Sequence, residues 1–177
     1  MRLKIGLLVL ILGAIATFSL FGTAGAANTG QVSPSVTVTS TLSLTMEDTT
    51  NVQWGPQGAG SNPTGTIQVR IRANTNWTLT VRRTSDTGVA NCGLMGDDGS
   101  NYIPSSKFTY TSAAGSPVPP AGSGVTATQF NTSDTNVWTG GTATSDCRVA
   151  VNYDLQIPAM QKPQLYSATH TYTLASS

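Results

Sequence analysis

Apolar and hydroxylated residues alternate along most of this chain, and the alternation predicts β-strands. In residues 36–46, one parity carries Val36, Val38, Leu42, Leu44 and Met46, while Thr and Ser occupy most of the other. A two-residue period is typical of a strand with one buried face. Residues 67–73, 77–81, 147–157 and 166–174 repeat the pattern. Because only the polar residues 74–76 separate the first two of these stretches, we expect them to pair as a hairpin.

The remaining segments are rich in Gly, Pro, Asn and Ser, and no helical periodicity appears beyond residue 26. Many short strands separated by turn signals favour an all-β fold. We expect an antiparallel β-sandwich of the Ig-like type with roughly eight strands. A closed barrel is the alternative that this pattern leaves open.

The N-terminus carries the features of an export signal. Arg2 and Lys4 precede an apolar run over residues 5–21, and Ala24-Gly25-Ala26 supplies the small residues that a signal peptidase recognises. We therefore predict a signal peptide over residues 1–26, with an uncleaved anchor as the alternative. The mature chain, residues 27–177, is of a size for a single domain. It is expected to be secreted to the extracellular cell surface, with no membrane span after cleavage.

Charge and titratable residues exclude several functions. Charged residues make up 10% of the chain, its formal net charge is +1, and it has one His, His170. A basic surface for nucleic acid is therefore not expected. Glu47 is the sole Glu, and no nucleophile, metalloprotease or phosphate-loop motif is present. We predict no enzyme activity, no catalytic residues and no cofactor.

Two cysteines and one acidic loop are the other candidates for specific chemistry. Cys92 and Cys147 are an even pair in the exported part of the chain, which predicts one disulfide. Asp97, Asp98 and Asn101 form an oxygen-rich loop that is a candidate for Ca²⁺. Their spacing departs from the EF-hand pattern, so a simple turn is the preferred reading and no metal site is predicted.

Two of the three tryptophans lie beside predicted loops. Trp54 precedes Gly-Pro and Trp138 is followed by Thr-Gly-Gly. Exposed aromatic side chains at loop rims can stack on sugar rings. Both are therefore candidate glycan contacts, and the alternative is that they cap the ends of the sandwich. Trp77 shares its parity with Leu79 and is expected in the core.

Residues 76–81 and residues 166–174 resemble the two signatures of the WxL domain, a surface module of Gram-positive bacteria. Residues 76–81, with Trp77 and Leu79, resemble the first signature, and residues 166–174 resemble the second. In the second segment Tyr172 stands where that family has Trp, between Tyr166 and Leu174. Bacterial secreted Ig-like surface domains end in a similar way. The resemblance implies an exported β domain that associates non-covalently with cell-wall polymer, with these five residues as its core signature.

Together these observations predict a non-catalytic structural or adhesive protein of the cell surface. Its expected partners are cell-wall glycan or other surface proteins. One alternative is a self-assembling pilus or fibre subunit, because residues 28–46 begin as a flexible polar stretch and continue as a Val/Thr strand that could complete a neighbour's sheet. A carbohydrate-binding module is the other alternative.

Overall fold

The computed structural model describes residues 35–48 and 52–177, which form antiparallel β-sheets. The predicted signal peptide, residues 1–26, lies outside the described residues. Within the described ranges the helical content is limited to short 3₁₀ turns such as Ser105–Lys107, and no helix there could cross a membrane. The strands are β1 (Leu42–Glu47), β2 (Thr64–Ala73), β3 (Trp77–Arg83), β4 (Cys92–Gly96), β5 (Tyr102–Pro104), β6 (Phe108–Ala114), β7 (Ser123–Gly124), β8 (Thr128–Gln129), β9 (Thr135–Gly141), β10 (Thr144–Leu155), β11 (Tyr166–Ser167) and β12 (His170–Ser176).

The strands form three sheets. One has the order β1-β2-β10-β6-β8, one has the order β12-β3-β9-β7, and a smaller one has the order β11-β4-β5. Alternate residues of β2, β3 and β10 are buried, so the apolar parity read from the sequence does form the core. The arrangement is consistent with a β-sandwich. The described part of the chain has twelve strands where about eight were expected, because several are only two or three residues long.

The predicted hairpin between β2 and β3 is wrong. These strands belong to different sheets, so residues 74–76 carry the chain across the core from one layer to the other. The side chain of Asn74 bonds to a different segment: its Oδ1 accepts from Thr41 N at 2.7 Å and its Nδ2 donates to Thr39 O at 2.8 Å. Its own N–H donates to Thr41 O at 3.2 Å. Asn74 thus binds both sides of Ser40 as a neighbouring strand would.

The predicted disulfide is also wrong. Cys92 and Cys147 are both free and buried, one in β4 of the small sheet and the other in β10 of the five-stranded sheet. A disulfide requires Cα atoms within about 7 Å, and an even count of cysteines carries no information about that distance. Here each thiol behaves as a small apolar side chain. Burial raises the pKa of both thiols, and for Cys92 the nearby Arg83 partly opposes the effect.

The two long edges of the molecule differ. On one edge, the Ser112 hydroxyl of β6 bonds to Val137 O of β9 and accepts from Val125 N at 2.9 Å, which joins the two larger sheets. On the opposite edge lie β1 and β12, the outermost strands of their sheets. The hydrogen bonds found among the described residues do not join these two strands. We call this side the open edge.

Residues 39–177 form one unit, and the preceding unit is Met1–Val38. Of that first unit the structure describes residues 35–38. Val36 and Val38 are 86% and 76% exposed there, and neither belongs to a strand. The strand predicted over residues 36–46 therefore begins only at Leu42.

Candidate functional site

Trp54, which bonds to the first residue of β2, lines two clefts. The first, which we call the seam cleft, lies between β1 and β12 and has a volume of about 650 Å³. The second, the amide cleft, lies between Trp54 and residues 161–164 and has a volume of about 550 Å³. Trp54, Leu94, Leu165 and Tyr166 line both clefts.

Trp54 is fixed in place although it belongs to an irregular segment. Its Nε1 donates to Thr64 O at 2.9 Å, at the first residue of β2. Its ring meets Phe108 edge-on, with 6.0 Å between the centroids. Gly55 and Pro56 follow and turn the chain away, so the indole stays partly buried. One aromatic wall is therefore held rigid while part of its face remains accessible.

The amide cleft combines this wall with polar side chains that the sequence analysis did not select. Gln57, Gln161, Lys162 and Gln164 line it together with Tyr166. Gln161 Nε2 donates to the Tyr166 hydroxyl at 2.7 Å, and that hydroxyl donates to Lys162 O at 2.9 Å. These bonds hold the Gln-Lys-Pro-Gln turn against the aromatic ring. The signal was visible in the sequence as a run of amide side chains around Pro163, but only the fold places that run in one cleft with Trp54.

In the candidate calcium loop, the Asp98 carboxylate accepts hydrogen bonds from other groups of the protein. Asp98 accepts bonds from Ser100 N and Asn101 N at 3.0 Å, and from Lys162 Nζ at 2.8 Å. Gln164 Nε2 adds a bond at 3.2 Å. These bonds, chiefly the one from the Asn101 backbone, hold the pKa of Asp98 well below its usual range. The ammonium of Lys162 stands where a cation would bind, and the loop is pinned to one wall of the amide cleft.

Trp138, the second candidate glycan contact, differs from Trp54 in its surroundings. It is 5% exposed, and its Nε1 donates to Ala121 O at 3.0 Å. Gly122 packs directly against its indole nitrogen. The Pro- and Gly-rich loop thus covers the ring, and no accessible face remains for a sugar. The structure does not bring the two tryptophans into one site.

The five residues of the WxL-like signature divide between core and cleft. Trp77 and Leu79 are fully buried in β3, and the Trp77 Nε1 donates to Thr142 O at 2.8 Å. Tyr166, Tyr172 and Leu174 are partly buried and pack against the core. The Tyr172 hydroxyl shares a 2.6 Å hydrogen bond with the Tyr153 hydroxyl across the interior. Tyr166 and Tyr172 also line the seam cleft.

The segment expected to form one terminal strand is broken at residues 168–169. β11 pairs with β4 of the small sheet, whereas β12 pairs with β3. Thr169 O accepts from Thr84 N at 2.8 Å, which starts the second pairing. The break opens the chain around the seam cleft, with Ala168 and His170 on its wall.

His170 and Arg83 are cross-strand partners with an unusual environment. The His170 ring stacks on Phe130 with 3.8 Å between centroids, and its Nε2 is buried without a hydrogen-bond partner among the described residues. Burial, helped by the charge of Arg83, lowers the pKa of His170 to about 4. The imidazole is therefore neutral at physiological pH and packs as an aromatic ring.

Comparisons with known proteins add little to this geometry. No protein-family model matches the chain, and no curated protein matches it either. Among solved structures, the chain is similar to a family 123 glycoside hydrolase from Clostridium perfringens, with 14% identity and a TM-score of 0.35. The similarity covers 66% of this chain and 19% of that one, so the chain spans about a fifth of that enzyme. At this level the likeness supports no statement about function.

Proposed function

We propose that this chain is an exported, non-catalytic structural or adhesive protein of the cell surface that associates with cell-wall glycan through the amide cleft. The observation that carries the proposal is the partly exposed Trp54 facing a rim of amide side chains. A rigid aromatic face supplies apolar contact for a sugar ring, and amide groups supply hydrogen bonds to its hydroxyls. An Ig-like sandwich and a relationship to WxL-type surface domains are part of this proposal.

The charge around the cleft suits an uncharged or weakly anionic polymer. Lys162 is held by Asp98 at 2.8 Å, which balances its charge at one end of the cleft. The other polar groups are the uncharged amides of Gln57, Gln161 and Gln164. A glycan bound here would replace water on Trp54 without meeting a net charge, so we expect its binding to depend weakly on salt.

The non-catalytic part of the proposal is supported by the state of the candidate chemical groups. His170 Nε2 is buried and faces no hydroxyl or carboxylate partner among the described residues. Donors surround the Asp98 carboxylate and lower its pKa, and both cysteine thiols are buried with raised pKa values. General acid–base work requires a group whose pKa lies near the operating pH and that can reach a substrate.

The test is a pull-down of the mature protein on purified cell-wall glycan. The variants are Gln57→Ala, which removes an exposed amide, and Trp54→Ala, which removes the aromatic wall. We expect at least about a tenfold loss of binding for Trp54→Ala and a smaller loss for Gln57→Ala. Val118→Ala, at an exposed loop position outside both clefts, is the control.

Because Trp54 packs on Phe108, its removal also weakens the fold, and each variant needs a thermal unfolding curve. Gln57→Ala leaves the packing intact and keeps the test decisive if Trp54→Ala fails to fold. Unchanged binding by folded variants at both positions would refute the role of the amide cleft.

A further inference from the structure

We propose that residues 32–38 of a second copy of this chain add as a strand at the open edge, along β12, with their valines in the seam cleft. This interaction is distinct from glycan binding, because it uses β12 and the seam cleft whereas the glycan is proposed to bind in the amide cleft. Its acceptor is the unpaired margin of β12, and its donor is the segment that precedes residue 39.

The backbone of β12 has free hydrogen-bonding groups at the open edge. Thr84 N donates to Thr169 O at 2.8 Å and Ser177 N donates to Asn76 O at 3.1 Å. The backbone N–H and C=O groups of the odd-numbered residues of β12 therefore point toward β3. In an antiparallel pair the backbone N–H and C=O groups of the intervening residues point away from the partner strand. The N–H and C=O groups of Tyr172 and Leu174 therefore face outward, where no strand of residues 35–48 or 52–177 pairs with them. Such an edge is a template for strand addition.

The walls of the seam cleft match an uncharged, apolar strand. None of the residues that line the cleft carries a formal charge while His170 is neutral. β1 contributes Leu44 and Met46 to one wall, and β12 contributes Tyr172 to the other. A strand lying here would place every second side chain between these walls, and each such position favours an apolar residue.

The segment before β1 has the required pattern. Residues 27–41 contain no charged side chain, and Val32, Pro34, Val36 and Val38 share one parity while Ser and Thr take the other. Pro34 is compatible because a strand at an edge has every second N–H directed away from its partner. The twelve residues 27–38 can span about 40 Å, which exceeds the roughly 23 Å of a seven-residue strand such as β12. Val36 and Val38 are exposed, as an unoccupied donor requires.

The hydrogen bonds of Asn74 favour a second copy over the same chain. They hold residues 39–41 beside Asn74 as an extension of β1, and a return to β12 would need a reversal at those residues. The chain enters β1 where Leu42 pairs with Ala73, whereas Trp54, which also lines the seam cleft, bonds to Thr64. Donor and acceptor are thus different segments of the chain, namely the residues before Thr39 and the margin of β12. Contacts of this head-to-tail kind produce open filaments rather than closed dimers.

The test compares the mature protein, beginning at Ala27, with two doubly substituted full-length forms. Val36→Asp/Val38→Asp places charges on the donor face, and Ser35→Asp/Thr37→Asp places the same charges on the opposite face. We expect the mature protein and the second form to give species of increasing mass with concentration in light scattering and sedimentation. The first form should remain monomeric with an unchanged unfolding midpoint.

The monomeric form then serves as the acceptor for a synthetic peptide of residues 28–41. We expect binding that changes the fluorescence of Trp54, and at least about 100-fold weaker binding of the peptide that carries Asp at positions 36 and 38. A mature protein that stays monomeric at every concentration would overturn the proposal, as would association that survives the valine substitutions. Failure of the acceptor to bind the peptide would also overturn it. None of these outcomes alters the glycan pull-down with Gln57→Ala, so the two proposals fail separately.

Discussion

Acid pH should destabilise this protein through its single histidine. His170 is stacked on Phe130 at 3.8 Å, and burial together with Arg83 lowers its pKa to about 4. In the unfolded chain the same imidazole has a pKa of about 6.5. Above that value the imidazole is neutral in both states and has no effect on the pH dependence. Below it the unfolded chain binds a proton that the folded chain refuses, so stability is lost as the pH falls toward about 4.

The size of the effect follows from the two pKa values. At about 1.36 kcal/mol for each pKa unit, the difference corresponds to about 3 kcal/mol, lost between about pH 6.5 and about pH 4. This is a large fraction of the free energy of unfolding of an ordinary domain. Other groups contribute little in the upper part of this window, because unperturbed carboxyl groups titrate near about pH 4.

The assay is guanidinium unfolding of the native protein and of His170→Phe at several pH values between about 7 and about 4.5. Phe keeps a ring on Phe130 and removes the titrating nitrogen. We expect the native protein to lose free energy of unfolding through this window and the variant to stay nearly level. If the two curves fall in parallel, the acid sensitivity does not arise from His170 and the reasoning is refuted.

Three further measurements test the interior. Tyr172→Phe leaves the Tyr153 hydroxyl without its 2.6 Å partner, and we expect a loss of about 1–3 kcal/mol in the free energy of unfolding, largely recovered when both become Phe. Without reductant, Cys92 and Cys147 should resist iodoacetamide in the native protein, and both should react in denaturant. If the mass of the denatured protein shows no modification, the thiols are not free. Gly141→Ala would press a methyl group into a buried indole and should cost about 1–3 kcal/mol in chemical unfolding, whereas alanine at an open loop glycine should cost little.

Alternation of side chains was enough to predict which faces of the strands are buried. The parity of β2, β3 and β10 in the sequence is the parity of burial in the structure. It did not predict how the strands pair, because a two-residue period is the same for a hairpin and for a crossover between sheets. At the crossover between the sheets, the Asn74 side chain bonds to residues more than thirty positions earlier, and the two-residue period does not predict such bonds. The separation of Cys92 and Cys147 was unpredictable for the same reason, because it depends on which strands become neighbours.

The candidate site was predicted in part. Trp54 was selected because an aromatic residue beside Gly-Pro indicates a loop rim, and it does line both clefts. Trp138 has a similar local sequence, yet Ala121 and Gly122 cover it. The polar rim of Gln57, Gln161 and Gln164 was missed because amide side chains are common on surfaces and only their convergence is informative.

The difference between the open edge and the edge at Ser112 has a consequence for local opening of the sandwich. At the edge where the Ser112 hydroxyl joins the two larger sheets, separation of the sheets would break its hydrogen bonds to Val137 O and Val125 N. At the opposite margin no hydrogen bond found among the described residues joins β1 to β12, and the Tyr153–Tyr172 hydroxyl pair links β12 to the other layer from the interior. The layers should therefore separate more readily at this margin. The amide protons of β1 and β12 that bond to β2 and β3 should then exchange with solvent sooner than those of β6 and β9 beside Ser112.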